Sequence, residues 1–248
     1  MDRLIYIAMT GAQQILQQQG VAAHNLANAS TPGYKADTVA FRVVPLVGDG
    51  APTRAYAVAT TPGADFRTGT VEKTGRELDV AIDGGAMLAV QTKDGGEAYT
   101  RNGRLALSAD GELKTAGGLT VLGDGGPISV PAGARITIAK DGTVSAVVDA
   151  QGSANVQVLG RLKLVSPPDD GFVKGGDGLF RAKGGAPLDA DPAAGVTAGA
   201  LEGSNVNPVS AMVDMIGYAR QFELQMKLLQ SAEADAQRAT QLLAPANG

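Results

Sequence analysis

Residues Asn25 to Lys35 read Asn-Leu-Ala-Asn-Ala-Ser-Thr-Pro-Gly-Tyr-Lys, and this stretch is the most informative of the chain. Its first half continues a helical pattern, and Pro32 ends that pattern because proline has no amide hydrogen for a helical bond. The segment Thr31–Tyr34 suits a type II turn, with proline in the second position and glycine in the third. Asn25 and Asn28 are three residues apart and share one helix face, where their amides can fix the register of neighbouring backbone. The stretch therefore predicts a helix end, a tight turn and a polar contact point.

A seam of apolar residues leads into this stretch from the N-terminus. Its positions alternate at spacings of three and four residues, which is the heptad pattern of packed helices, with one polar break at Gln19. A helix over residues 3–28 is about 40 Å long at 1.5 Å per residue. Because the seam is mostly alanine, a partner helix can approach it closely. The seam consists of Ile5, Ala8, Ala12, Ile15, Ala22 and Leu26.

A second and longer seam follows the other end of the chain. Asn207 is a good N-cap and Pro208 suits the first helical position, so a helix over 208–243 is about 54 Å long. A seam this long is typical of a helix with several neighbours, which favours self-assembly, although packing against the N-terminal helix of the same chain is the alternative. Its apolar positions are Met212, Met215, Ala219, Phe222, Met226, Leu229, Ala236 and Leu243.

The middle of the chain has a different composition. Residues 1–47 and 205–248 hold three and two glycines, and the other 29 of the 34 lie between them. Short alternating runs separated by Asp-Gly or Asn-Gly pairs over 71–165 predict antiparallel strands. We therefore expect an α+β protein whose central antiparallel β domain, 71–165, is a barrel or sandwich. The long helices of 1–35 and 205–248 pair as a helical assembly domain, 36–70 is an extended connector, and 166–204 is an irregular return segment.

Composition excludes several classes of function. The 248 residues carry a net charge of −4, contain no cysteine and include one histidine, which argues against nucleic-acid binding, thiolate metal sites and multi-histidine metal sites. We expect no catalytic residue, metal, cofactor or small-molecule substrate. No apolar run is long enough to span a membrane, and the start of the chain is a poor match to a cleaved secretory signal. The one histidine, His24, is either a general base, an interface contact or an exposed polar residue.

Two terminal motifs and a central one resemble the axial proteins of the bacterial flagellum, the rod, hook and hook-associated subunits. The first motif is Asn25–Asn28 with Thr31–Lys35, and the second is Leu201–Val209 with Ala211–Ile216 and Arg220–Glu223. The middle of the chain is similar to these proteins at Leu78–Gly84 and Tyr99–Gly103, and also at Asp110-Gly111. Within the family the chain looks most like a proximal-rod subunit, with a distal-rod or hook-type subunit as the alternative.

The resemblance implies a structural subunit that self-assembles through its terminal helices into a hollow axial drive shaft across the periplasm. It implies other copies of the chain, neighbouring rod subunits and the flagellar type III export apparatus as partners, with no direct membrane insertion. The competing hypotheses are a soluble coiled-coil binding module and an enzyme carried on the β domain. Beyond the two seams, the expected subunit-interface residues are Asn25, Asn28, Thr31, Gly33, Tyr34, Asn205 and Asn207.

Overall fold

The computed structural model describes residues 2–45, 55–59, 63–150, 153–167 and 171–243. The chain divides into two compact units, and both are discontinuous in sequence. One unit, the helical unit, consists of residues 1–27, 37–63 and 207–248, and the other, the β unit, consists of residues 28–36 and 64–206. The α+β class and the central antiparallel β domain expected from the sequence are confirmed.

The helical unit is built on two long helices that pack against each other, α1 (Asp2–Ala27) and α2 (Pro208–Leu243). Both match the helices expected from the apolar seams to within one residue at each end. The side-chain oxygen of Asn207 accepts hydrogen bonds from the amides of Val209 at 3.0 Å and Ser210 at 3.1 Å. Asn207 is therefore the N-cap of α2, because it satisfies amides that have no partner within the helix.

The strands are short, and most of them belong to the β unit. Their bounds are β1 (Asp37–Thr38), β2 (Phe41–Pro45), β3 (Ala55–Ala59), β4 (Gly63–Ala64), β5 (Val71–Lys73), β6 (Val80–Ile82), β7 (Met87–Gln91), β8 (Glu97–Thr100), β9 (Leu105–Leu107), β10 (Leu113–Thr115), β11 (Thr120–Gly123), β12 (Gly126–Pro127), β13 (Arg135–Ile138), β14 (Thr143–Ala150), β15 (Ser153–Arg161), β16 (Leu164–Val165), β17 (Phe172–Lys174), β18 (Phe180–Ala182), β19 (Val196–Ala198) and β20 (Ala200–Glu202).

The largest sheet of the β unit has nine strands, and its main path runs β17-β18-β8-β7-β11-β10-β9, with β12 beside β11 and β16 beside β7. This described path is open, so a closed barrel is not confirmed. A second sheet has the order β13-β14-β15, and β19 pairs with β6 and β20 with β5. Small aliphatic side chains such as Val80, Leu88, Leu113 and Val121 fill the core between these strands.

Five Asx-Gly pairs predict hairpins, and three of them form hairpins between adjacent strands. Gly95, Gly111 and Gly142 have positive φ and lie between β7 and β8, β9 and β10, and β13 and β14. The other two pairs, ending at Gly84 and Gly103, are not hairpins because the strands on either side of them are not neighbours in a sheet. At Gly103 the reason for glycine is space, since a Cβ there would lie 1.7 Å from the carbonyl oxygen of Val80.

Two segments contain more regular structure than their composition suggests. The connector 36–70 holds the antiparallel pair β2–β3, and the return segment 166–204 holds β17 to β20. Residues 28–36, which the sequence pattern attaches to the N-terminal helix, belong to the β unit. The strands β17 to β20 have three residues each, too few to show a period of two, and their pairing is set by distant partners. The strands β2 and β3 have five residues each, in a segment that is otherwise rich in Gly, Pro, Ala and Thr.

Candidate subunit interface and charged anchor

The turn after α1 is fixed by contacts that only glycine allows. Gly33 has a φ of 69°, and the amide of Tyr34 donates to the carbonyl of Thr31 at 3.2 Å, which confirms the predicted turn. A Cβ on Gly33 would lie 2.3 Å from the backbone carbon of Arg101. The amide of Gly33 donates to the carbonyl oxygen of Glu202 at 2.8 Å. The turn is therefore pressed against two distant parts of the β unit.

Beside this turn lies a buried cluster of three charged side chains, Lys35, Arg101 and Glu202, which we call the charged anchor. The side chains are 2%, 3% and 1% exposed. Lys35 Nζ donates to Glu202 Oε1 at 2.7 Å, and Arg101 donates to Glu202 Oε2 through Nε at 2.7 Å and through Nη2. The amide of Gly69 donates to Oε1 at 2.9 Å. One carboxylate thus joins parts of the chain that are up to 167 residues apart.

The second cation of the anchor is held by backbone oxygens as well. Arg101 Nη1 donates to the carbonyls of Gly84 at 2.9 Å and Ala86 at 2.5 Å, and Nη2 donates to the carbonyl of Ile82 at 2.9 Å. Lys35 Nζ also donates to the carbonyl of Arg67 at 2.8 Å. These bonds satisfy donors that would be costly to bury unpaired. The anchor contains two cations and one anion, so it keeps an excess of one positive charge.

The pKa of Glu202 is lowered from its ordinary value of 4.5. Burial acts in the opposite direction, because it disfavours the charged carboxylate. The hydrogen bonds from Lys35 and the Gly69 amide, together with the positive charge of Arg101, outweigh that cost. Glu202 is therefore ionised in the folded protein near neutral pH.

Asn205 and Tyr34, both expected at a subunit interface, make their described contacts within the β unit. Asn205 Oδ1 accepts from the amide of Ala36 at 2.7 Å, and Nδ2 donates to the carbonyls of Asp65 at 2.8 Å and Arg67 at 3.0 Å. The ring of Tyr34 is buried, and Lys174 Nζ lies 4.0 Å from its centroid. Such a cation–π contact reinforces the docking of the turn. These residues bind the segment 28–36 to the strands.

The polar residues at the end of α1 also contact nearby backbone. Asn25 Oδ1 accepts from the amide of Asp37 at 2.8 Å, and Asn25 Nδ2 donates to the carbonyl of Asp37 at 2.9 Å. His24 Nδ1 lies 2.6 Å from a carboxylate oxygen of the same Asp37. In the β unit, Asn28 Oδ1 accepts from the hydroxyl of Thr31 at 3.2 Å. The side chain of His24 thus has an aspartate partner.

The predicted seam of α1 is the face that packs. Ala8, Ala12, Ile15 and Ala22 are buried and Leu26 is partly buried, while the side chain of Ile5 lies outside the described residues.

On α2 the packed row is shifted relative to the predicted one. Met215, Ala219, Phe222 and Leu229 are partly buried. Met212 and Met226 are exposed, and Ala211 is buried in place of Met212. The row that is most protected from solvent is Ala211, Met215, Tyr218, Phe222, Gln225, Leu229 and Ala232. The side chains of Ala236 and Leu243 lie outside the described residues.

The opposite face of α2 carries a second apolar row, which we call the outer row, and which consists of Val209, Met212, Val213 and Ile216. Val209, Val213 and Ile216 are 67%, 62% and 57% exposed. At 3.6 residues per turn they lie about half a turn around the helix from Ala211 and Phe222. The first turns of α2 therefore present apolar side chains on two opposite faces.

None of the three anchor residues, Lys35, Arg101 and Glu202, is among the site residues predicted from the sequence, and Met212 is the one outer-row residue that is. All of these residues nevertheless lie within the sequence motifs quoted above. A second apolar period on α2 was the available signal for the outer row. The anchor had no such signal, because charge pairing across more than a hundred residues leaves no local pattern. In the part of the chain that the structure describes, no group of His, Asp or Glu is arranged to hold a metal ion. Nor is any described helix long and apolar enough to cross a membrane.

Three family models match successive parts of the chain. A flagella basal body rod protein model matches residues 5–35, a flagellar hook protein FlgE/F/G D1 domain model matches 81–146, and a flagellar basal body rod FlgEFG protein C-terminal model matches 197–242. The first and last cover the two terminal motifs, and the middle one covers strands of the β unit.

Whole-length relatives agree with these matches. The chain is 51% identical to the flagellar basal-body rod protein FlgF of Escherichia coli strain K12, over 98% of this chain and 99% of that protein. It is 49% identical to FlgF of Salmonella typhimurium with the same coverage, and 32% identical to FlgF of Caulobacter vibrioides over the full length of both. The resemblance to rod proteins is thereby confirmed. The chain belongs to the family of flagellar basal-body rod proteins, and it is a structural subunit of the rod rather than an enzyme.

Proposed function

We propose that the chain polymerises with copies of itself and with neighbouring rod subunits through the outward faces of α1 and α2. The assembled product is a hollow proximal rod that transmits torque and passes exported subunits, and the type III export apparatus delivers the chain to it. The observation that carries the proposal is the outer row, since four apolar side chains on the face turned away from the packed row need a partner to leave water.

The apolar pattern of α2 differs from that of an ordinary surface helix. Such a helix has one apolar stripe toward the core and polar residues elsewhere, whereas a helix with apolar residues on opposite faces is buried on both. On α1, Met9 and Leu16 are likewise exposed, and Gly20 has no neighbouring atom within 4 Å of where its Cβ would lie. Met9 and Leu16 can leave water by packing against another helix, and Gly20 lets the backbone of that helix approach closely. Both helices thus retain a face suited to contact with a neighbouring subunit.

The experiment replaces an outer-row residue with a charged one in the full chain. Ile216→Asp puts an unpaired charge into the proposed contact, and we expect loss of rod incorporation and motility in cells that lack the natural subunit. Gln221→Asp is the matched control, because Gln221 is an exposed polar residue of the same helix, and it should assemble normally. Circular dichroism of the purified monomers should be the same for both variants. Normal basal bodies with Ile216→Asp would refute the assignment of this face.

A discrete oligomer of a few copies would favour the competing hypothesis, in which the chain is a soluble coiled-coil binding module. Sedimentation of the purified chain distinguishes the two, because a rod subunit should sediment as a monomer at low concentration and form filaments of no fixed size when concentrated. A stable dimer or tetramer that does not grow would contradict the proposed polymerisation.

A further inference from the structure

We propose that the charged anchor is a closure device, which makes folding of the whole β unit conditional on docking of both the segment 28–36 and the strand β20. This inference is independent of the proposed function, since it concerns how the unit becomes stable and not what the unit binds.

The anchor joins parts of the β unit that are far apart in the chain. The β unit is discontinuous, and its segment 28–36 is separated from the rest by 37–63. Lys35 lies near the end of that segment, and Glu202 lies at the end of β20, close to the other end of the unit. Arg101 lies between them, directly after β8. The anchor therefore joins the two sequence ends of the unit to its largest sheet.

Unpaired charge remains in the anchor when Glu202 is missing. Without Glu202, the buried site contains Lys35 and Arg101 alone, which are two like charges removed from water. Removing one partner of a buried ion pair is strongly destabilising, since the remaining charge has no compensation. Arg101 cannot simply leave, because its guanidinium also holds the carbonyls of Ile82, Gly84 and Ala86, which lie in and next to β6 and β7.

The anchor is linked to the hydrophobic core of the β unit. Met87 and Leu88, directly after Ala86, are buried in the two hydrophobic clusters of the unit. The amide of Gly33 and the amide of Gly69 both donate to Glu202. Loss of the Glu202 carboxylate therefore acts on both ends of the unit and on the loops that lead into its central strands. A chain synthesised from its N-terminus has all of the β unit except its last residues, 202–206, before it has Glu202, so the unit stays open until β20 docks.

The test is hydrogen exchange of the full chain carrying Glu202→Gln. If the anchor closes the whole unit, the remote core amides of Leu113 and Val130 should exchange at least about 100-fold faster, by the same factor as the anchor amides of Gly33 and Gly69. The control is Glu72→Gln on β5, the strand beside β20, where the side chain is exposed. It should leave all four amides unchanged.

A second variant keeps the test decisive if Glu202→Gln does not fold. Lys35→Met combined with Glu202→Gln removes one of the two unpaired cations, so it should recover a substantial part of the lost protection. Recovery supports charge pairing as the basis of closure. Failure of the double variant to recover any protection would overturn it. Faster exchange at Gly33 and Gly69 with Leu113 and Val130 unchanged would also overturn the proposal, since the anchor would then stabilise only the residues around it.

Discussion

Substitution of Gly33 by alanine tests the docking of the turn on the β unit, because two separate costs meet at this one position. Its φ of 69° is unfavourable for any residue with a Cβ, by roughly 1–2 kcal/mol. In addition, the new Cβ would lie 2.3–2.5 Å from three backbone atoms of Arg101 and Asn102. Backbone cannot swing aside as a side chain can, and overpacking of this kind costs about 1–3 kcal/mol.

Two other glycines of the same unit separate these costs. Gly118 has a φ of 81° and no atom within 4 Å of an added Cβ, so Gly118→Ala measures the backbone cost alone. Gly103 has no positive φ, but its Cβ would lie 1.7 Å from the carbonyl oxygen of Val80, so Gly103→Ala measures the steric cost alone. The loss of unfolded-chain entropy, about 0.4–1 kcal/mol in favour of alanine, is common to all three and cancels in the comparison.

The assay is urea unfolding followed by tyrosine fluorescence, since the chain has no tryptophan. After the entropy term is subtracted, we expect Gly33→Ala to lower the free energy of unfolding of the β unit by about 1–4.5 kcal/mol. With a urea slope of about 2 kcal/mol per M this moves the midpoint by roughly 0.5–2 M. Gly118→Ala should cost about 0–1.5 kcal/mol. If Gly33→Ala costs no more than Gly118→Ala, the turn does not lie against Arg101 as described and the reasoning fails.

Three further predictions concern the anchor and the ends of the chain. Because the pKa of Glu202 is lowered on folding, the contribution of its carboxylate to stability is present above its ordinary pKa of 4.5 and is lost as the pH falls through the folded value. The midpoint temperature of thermal unfolding should therefore fall more steeply between pH 7 and pH 3 for the natural chain than for Glu202→Gln. Asn207→Ala removes the N-cap of α2 and should cost about 1 kcal/mol of helix stability, measured by circular dichroism, whereas Ser210→Ala beside it should be nearly neutral. Trypsin should cut after the exposed Arg220 and Lys227 before it cuts after the buried Lys35, and equally early cleavage at Lys35, read by mass spectrometry, would contradict the docked turn.

The helices and most strands of the central region follow from local patterns in the sequence. A period of three and four residues, an Asn-Pro start and a Pro-Gly stop are enough to place α1 and α2. The Asp-Gly pairs at 94–95, 110–111 and 141–142 place three hairpins, since positive φ is a local requirement that a dipeptide can satisfy.

The sequence-based predictions differ from the structure where a contact with a distant part of the chain determines the conformation. Asn102-Gly103 has the sequence of a hairpin turn, but its glycine is needed because the chain passes against Val80. The packed row of α2 begins at Ala211 and not at Met212, since Ala211 is buried and Met212 is exposed. The pairing of Glu202 with Lys35 and Arg101 belongs to the same class, since nothing near any of the three residues indicates its partner.

The residues of the two terminal motifs divide into two groups with different physical roles. The polar and turn residues, including Gly33, Lys35, Glu202 and Asn205, direct their hydrogen bonds into the β unit, so their loss should lower the stability of the monomer. The apolar residues of the outer row have no such role, because Val213 and Ile216 are largely exposed, so their loss should leave the monomer stable and weaken assembly. Asn205→Ala should therefore lower the unfolding midpoint of the monomer, whereas Val213→Asp should leave that midpoint unchanged and reduce incorporation into the rod. A Val213→Asp monomer as unstable as Asn205→Ala would show that the outer row is needed within the subunit, and the assignment of that face to neighbouring subunits would then be wrong.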